Sequence, residues 1–455
     1  MDEVARAVEL RERAGAEPAM MVSETDEMVS LLDARDPGAR CQAVWALANV
    51  AHDLPDAVTD CLEPAYDLLF DEHPEIRMNA VMLFMHVGDG LPSEIRPATD
   101  ALVERMRDRD PDVRELATGS VMRISIVDPA ALRGATATLA ARLDDAADET
   151  VLAAIKALAN IAADHPEAVH PHVDSVRGAL RHSAPEIVRH ATKCLNGVAI
   201  DYPAAVRPAA QQLRSRLAHD DPQTRAYAAD ALHRLAPEFP DTVAPALGEL
   251  AALFTDRIDR ARTGAALAHG VVSAAEPSAV KPFVEDLALL FDDEEPGARN
   301  GAGYALANVA LNFPATARPY TDLFERRLTD DLAEVRRHAV TALDGVGREY
   351  PEAVDSAVAE LQERYEDDDE GVRDAAAKAL SNVEVVSYER TVDQAAPDAG
   401  TKSTGSSDSE GASASTSESS ATTQPSDDAA DEPADSTGAT SLQDAARSAL
   451  ERHDE

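Results

Sequence analysis

The chain has 455 residues, with 84 acidic against 42 basic side chains and a formal net charge of −42. So much negative charge makes it a poor non-specific binder of nucleic-acid phosphates, and no apolar run approaches the length of a membrane span. Its three cysteines, Cys41, Cys61 and Cys194, form no C-x-x-C pair and read as small apolar residues of a reducing compartment.

At the N-terminus, Asp2 and Glu3 stand where a signal peptide needs positive charge, and no long apolar stretch follows. A cytoplasmic location is the expectation. Residues 1–17 are expected to form a capping helix that turns Val4, Val8 and Leu10 inward and leaves a polar outer face.

From residue 18 the chain repeats. Proline recurs at positions 18, 55, 92, 129, 166, 203, 240, 277, 314 and 351, always 37 residues apart. A fixed period of that length predicts stacked helical units rather than one globular core. Each unit reads as proline, helix A, an Asp-containing turn and helix B. Alanine recurs without exception at 43, 80, 117, 154, 191, 228, 265, 302, 339 and 376. Four residues on stands an apolar side chain, from Leu47 to Leu380, with His269 the one departure; seven on stands an aliphatic one, from Val50 to Val383. Steps of three and four put these columns on one helical stripe.

Helix B has its own start signals. Asp36-Pro37, Asp110-Pro111 and Asp221-Pro222 place a capping carboxylate before a first-turn proline. Helix A carries Val58, Leu62, Ala65 and Leu69 in the second unit, and inner prolines such as Pro97, Pro171, Pro208, Pro245, Pro282 and Pro319 should start or bend it.

An aspartate precedes an arginine by six residues in Asp71/Arg77, Asp108/Arg114, Asp256/Arg262, Asp293/Arg299, Asp330/Arg336 and Asp367/Arg373. Together with the alanine and apolar columns, this resembles the HEAT-repeat family over residues 18–387. The resemblance implies an all-α fold, a right-handed α-α superhelix of about ten two-helix repeats. It also implies that the Asp–Arg ladder is structural rather than catalytic. His182 with Val188 and Ala34 with Arg40 depart from the pattern and interrupt it.

Residues 388–440 are rich in Ser, Thr, Ala, Gly and Asp, and a disordered acidic linker is expected there. In residues 441–455, Leu442, Ala445, Ala446, Ala449 and Leu450 form one short amphipathic stripe, a helix that could dock back on the body of the chain. Arginine outnumbers lysine 37 to 5, and aromatics are scarce. That composition resembles the proteins of salt-loving microbes, haloarchaea among them, whose acidic surfaces keep them soluble in molar salt.

Candidate contacts lie on the face of helix B away from its apolar stripe. Two residues after the alanine stand Trp45, Lys156, Lys193, Tyr304 and Lys378; four further on stand Asn49, Asn160, Asn308 and Asn382. Helical geometry predicts that Trp45, the single tryptophan, is exposed. The stretch from Trp45 to Ala51 resembles the groove helix of importin-alpha-type armadillo proteins, though only this copy pairs Trp with Asn. The resemblance implies an extended peptide, its backbone bonded by Asn amides and its side chains walled by the aromatic.

His165, His170, His172, His182 and His190 cluster in sequence, but His170 and His172 would face different ways on a helix, so no metal site is expected. Metal-holding HEAT hydroxylases use repeated His-Glu dipeptides, and the chain has none. No Gly-rich phosphate loop or nucleophile elbow occurs. The sequence therefore reads as a non-catalytic scaffold that binds a protein or extended peptide, without cofactor, nucleic acid or membrane. The alternative is a HEAT-repeat enzyme, lyase- or hydroxylase-like, that uses the same groove.

Overall fold

A helix can approach another closely only where its side chains are small, and the recurring alanines supply that at every repeat. All ten are fully buried in the computed structural model, which describes residues 3–395, with side chains to residue 382. The fold is an α-solenoid, and no strand occurs among the described residues.

The chain opens with α1 (Glu3–Ala16). The B helices follow: α2 (Pro37–Asp53), α3 (Pro74–Gly90), α4 (Pro111–Val127), α5 (Asp148–Asp164) and α6 (Pro185–Val198) in the first half, then α7 (Pro222–Leu235), α8 (Asp259–Ala275), α9 (Pro296–Asn312), α10 (Ala333–Gly347) and α11 (Glu370–Ala395). Each packs against the B helix before it and the one after, and α1 packs on α2 as a further helix of the row. Their stripes close into one continuous core, from Ala43, Leu47 and Val50 in α2 to Val335, Ala339 and Leu343 in α10.

The starts follow the sequence. The Asp36 carboxylate accepts from the Gly38 amide at 2.7 Å, Asp110 from Asp112 at 3.0 Å and Asp221 from Thr224 at 2.8 Å. Helix A is not one helix. In the unit beginning at Pro203 it runs as an α turn (Pro203–Val206), a 3-10 turn (Arg207–Ala209) and an α segment (Ala210–Arg216). Pro208 sits in the 3-10 turn, where a residue without an amide hydrogen breaks the α ladder and bends the segment.

Two expectations about the chain's ends need correction. In α1 the inward side chains are Ala7, Leu10 and Ala14, spaced three and four apart; Val4 is half-buried and Val8 is exposed, one step off that stripe. At the other end, helix continues to Ala395, through residues 388–395 expected as linker. No Gly or Pro falls within residues 388–395. The rest of the expected linker and the C-terminal stripe lie outside the described residues.

The Asp–Arg ladder joins neighbouring repeats. Arg77 Nε donates to Asp108 Oδ2 at 2.8 Å and Nη2 donates to Oδ1 at 2.9 Å, while Nη1 donates to the backbone carbonyl of Asp71 at 2.8 Å. Thus each such arginine holds its own turn through a carbonyl and the next repeat through a carboxylate, 31 residues on. The same rung recurs in Arg40–Asp71, where Arg40 bonds the Ala34 carbonyl and so does not interrupt the ladder as expected, and in Arg114–Asp145, Arg225–Asp256, Arg262–Asp293, Arg299–Asp330 and Arg336–Asp367. The carboxylate also closes its own turn, as when Asp108 Oδ1 accepts from the Asp110 amide at 3.0 Å. Burial opposes ionisation of Asp108, but Arg77 and that amide outweigh it and hold the carboxyl below its ordinary range.

Arg373 corrects the expectation that it belongs to the ladder as a rung. Its Nη1 donates to the carbonyls of Asp367 at 2.7 Å and Asp368 at 3.1 Å, so it closes its own turn as the other arginines do. It forms no ion pair among the described residues, and the Asp367 carboxylate that its spacing offers is taken by Arg336. The physical reason is position. Arg373 stands in the last repeat, and the place 31 residues on is Thr404, which has no carboxylate and lies outside the described residues.

The ladder breaks twice within the stack, and both partners change together. Where arginine gives way to Val151 and Val188, the facing turn residues are His182 and His219. Each imidazole accepts the amide two residues on, Ala184 to His182 Nδ1 and Asp221 to His219 Nδ1, both at 3.1 Å. Histidine keeps the turn closed without burying a carboxylate that has lost its cation.

A second row crosses the repeats through helix A. Arg207 lies over Phe239, Lys281 over Phe313 and Arg318 over Tyr350, at 4.6, 4.7 and 4.6 Å. His170 stacks on Tyr202 at the same 32-residue offset, 4.4 Å between centroids. The base precedes an inner proline and the aromatic precedes a recurring one, so both ends are fixed by the turns that prolines define.

Candidate functional site

On a B helix, the position two after the recurring alanine lies away from the core stripe, and the structure leaves most of this column part-exposed. It reads Trp45, Met82, Gly119, Lys156, Lys193, Asp230, Leu267, Tyr304, Thr341 and Lys378 along the stack. Tyr304, Lys156 and Lys193 are half-buried, and Lys378 is exposed.

Trp45 is not exposed as its helical position predicts. It is half-buried under α1: a Cβ on Gly15 would stand 3.4 Å from the indole, and the Arg11 guanidinium lies 4.6 Å from the ring centre. Angle on a single helix cannot reveal this, because the covering surface belongs to the N-terminal helix.

The four asparagines are half-buried and already donate hydrogen bonds. Asn49 Nδ2 donates to the Trp45 carbonyl at 2.8 Å. Asn160 donates to Ser125 Oγ at 3.1 Å, and Asn308 to Ser273 Oγ at 3.0 Å and to the Tyr304 carbonyl at 3.1 Å. Asn382 donates to Asp344 Oδ1 at 2.7 Å. Three of the four therefore bridge adjacent B helices and stiffen the face. Each amide thus spends at least one of its two donors within the fold, unlike the peptide-binding ladder that the local resemblance implies.

The face is chemically divided. Toward the N-terminal end, Met78, Met82 and Met85 of α3 and Met122 of α4 are half-buried beside Gly119, where an added Cβ would lie 3.8 Å from Met85 Sδ. All nine methionines of the chain fall within its first 122 residues. In the middle stand Lys156, Lys193 and His190. Burial first, and then the charges of Arg189, Lys156 and Lys193, push the His190 imidazole down to about 4, so it is neutral at pH 7. Toward the C-terminal end, Tyr304 stacks on His338, 5.2 Å between centroids, and the buried His338 bonds Asn300 Oδ1 at 3.1 Å.

Lysine is used differently from arginine. Every ion pair among the described residues uses arginine or histidine. Of the four lysines in the described residues, Lys281 covers Phe313, and Lys156, Lys193 and Lys378 share the one column. The sequence reading found these lysines but missed Arg337 and the methionine row. The signal was available in the columns two before and five after the alanine.

No group of three or more metal-ligating side chains converges among the described residues. His170 and His172 are part of the turn that stacks on Tyr202. No helix among the described residues is long and apolar enough to cross a membrane.

A family model of HEAT repeats matches residues 25–123 and 320–397. An engineered protein solved by a structural genomics consortium superposes with a TM-score of 0.69 at 23% identity, over 79% of this chain and 99% of that one. Designed armadillo repeat proteins match at TM-scores of 0.42. One shares 22% identity over 46% of this chain and 98% of its own; another, in complex with the peptide (KR)4, shares 21% over 47% and 99%. No curated protein matches the chain. Repeats, ladder and superposition agree: the chain is an α-solenoid of helical repeats, and residues 25–123 and 320–397 are similar to HEAT repeats.

Proposed function

We propose that the chain is a non-catalytic interaction scaffold that holds a peptide segment or partner protein along a concave groove lined by its B helices. One observation carries this reading. The columns that hold the stack together are nearly invariant from repeat to repeat, whereas the column beside them changes from Trp and Met through Lys to Tyr. Repetition serves stacking; variety on a rigid face is what selective recognition of an extended partner uses. Tyr304 offers an aromatic surface with a polar tip, and Lys156, Lys193 and Lys378 offer cations to carboxylates or carbonyls. The asparagines Asn49, Asn160, Asn308 and Asn382 act through this face by fixing its helices. Trp45 contributes at its edge, beneath α1. The acidic, lysine-poor surface is read as salt adaptation of a cytoplasmic protein.

The test is capture of partners by the full chain at native salt, followed by titration of the purified partner. Tyr304→Ala and Lys193→Glu should each weaken it about tenfold or more, as loss of a central contact does. Leu289→Ala, on the exposed side of helix A, should not. Equal affinity for all three variants would remove the groove.

A further inference from the structure

In a chain with five lysines against 84 acids, an amine without a counter-ion is conspicuous. Among the described residues, neither Lys156, Lys193 nor Lys378 forms an ion pair or a hydrogen bond, and neither does the Arg337 guanidinium, which stands on the same face above Gly371. Arg189 is different: it is already paired with Glu186 at 3.2 Å. The acids nearest these cations within α7 and α10 are also committed, Asp230 to Arg260 and Asp344 to Arg348 and Asn382. The B-helix face thus carries two pairs of uncommitted cations, Lys156 with Lys193 and Arg337 with Lys378, inside an otherwise negative molecule.

The same chain supplies a complementary segment. Residues 396–455 carry thirteen acidic against three basic residues, and the densest run is Asp427, Asp428, Asp431, Glu432 and Asp435. That run begins 32 residues after Ala395, the end of α11. Thirty-two residues can span at most roughly 105 Å. Lys378 lies on α11 itself, and Lys193 lies five B helices back, roughly 40–50 Å at ordinary helix spacing. Both pairs therefore lie within the run's reach.

We infer that the acidic run 427–435 binds in cis at Lys193 and Lys156, and so occupies the middle of the groove until a partner displaces it. The inference rests on the groove reading above and adds to it the chemistry of the competing ligand, a carboxylate-rich peptide. Contact is short-ranged, because the rest of the solenoid repels the segment; salt screens both terms.

The probe is a water-soluble carbodiimide, which joins an amine to a carboxylate only when they touch. With so few lysines, the products are readily assigned after proteolysis. In the full chain at about 0.1 M salt, Lys193 or Lys156 should couple to the 427–435 peptide, with a yield independent of protein concentration and lower at about 1 M salt. A full chain carrying Asp427→Asn, Asp428→Asn, Asp431→Asn, Glu432→Gln and Asp435→Asn should lose that product and bind the groove partner about tenfold more tightly. Absence of the product, or a yield that rises with concentration as coupling between two copies would, overturns occupation in cis. These failures are separable from failure of the groove itself: a missing tail product with partner binding still sensitive to Tyr304→Ala removes this inference alone. The tail product with binding indifferent to Tyr304→Ala and Lys193→Glu removes the scaffold reading and leaves the cis contact.

Discussion

Arg299 grips Asp330 with two parallel hydrogen bonds, Nε to Oδ2 at 2.8 Å and Nη2 to Oδ1 at 3.0 Å, while its Nη1 holds the carbonyl of Asp293 at 3.0 Å. One guanidinium thereby ties two turns in successive repeats, and both charges are largely withdrawn from water. Loss of the arginine leaves a buried carboxylate with Arg327, at 3.1 Å, as its remaining cation, and leaves the link between the two turns broken.

Arg299→Ala should lower unfolding stability by about 1–3 kcal/mol, measured by urea denaturation. Arg373→Ala, which removes only bonds to its own turn, should cost less in the same measurement. The natural gap gives the converse. Val188→Arg alone faces His219 and should gain little, and His219→Asp alone should destabilise. The double variant should recover a rung, with a favourable coupling of about 1–2 kcal/mol in the double-mutant cycle. Additive effects would mean that the facing turns cannot close on one another there.

Trp45→Ala should cost about 2–3 kcal/mol, because the indole fills the space beneath α1 beside Gly15 and Arg11. Thermal unfolding and protease cleavage within residues 3–16 both report it. An unchanged melting temperature would return Trp45 to the exposed surface.

Gly301 marks a close approach of α8 and α9. A Cβ there would lie 2.4 Å from the Ala266 carbonyl carbon and from the Leu267 amide nitrogen, both backbone atoms. Gly301→Ala should therefore destabilise despite alanine's better helix propensity. The same exchange at Gly248, which has nothing within 4 Å, should be neutral or stabilising. Urea midpoints of the two variants decide it.

Acid should weaken the fold in two stages. Burial pushes His233 and His269 down to about 4 and His338 to about 3, so the folded chain keeps these rings neutral. The unfolded chain protonates them near the ordinary histidine value, so it binds more protons as pH falls below about 6.5. Stability is therefore full above that pH and declines toward pH 4, by about 1 kcal/mol per histidine at pH 5.5. The ladder aspartates add a second loss at lower pH, since Asp367, despite burial, is held at about 2, chiefly by Arg336. His269→Leu restores the leucine found at that position in most repeats and should flatten the upper limb of the stability–pH curve.

The repeat is legible in the sequence because each column carries one chemical demand. Fully buried alanines leave room for neighbouring helices, and prolines fix the turns. The ladder residues are legible too, but not their pairing. The six-residue spacing sets Arg114 beside Asp108, whereas its carboxylate partner is Asp145 in the next repeat. By the same shift Arg373, at the end of the row, is left without a carboxylate among the described residues. A six-residue spacing reports one turn, and inter-repeat contacts require the stack. The site is less legible for the same reason. That Trp45 is covered by α1, or that Asn160 reaches Ser125, depends on which helix lies beside which. The lysines are visible as a column; that they lack counter-ions is a property of the packed face.

The central claim is that each repeat is held by its two neighbours alone, which leaves the B-helix face as surface for a partner. Native-state hydrogen exchange on Arg262→Ala tests it directly. The account predicts faster exchange confined to α8, α9 and the turns they share, with α2 to α4 unchanged, because the lost rung joins Arg262 to Asp293. Loss of protection spread evenly from α2 to α10 would contradict it.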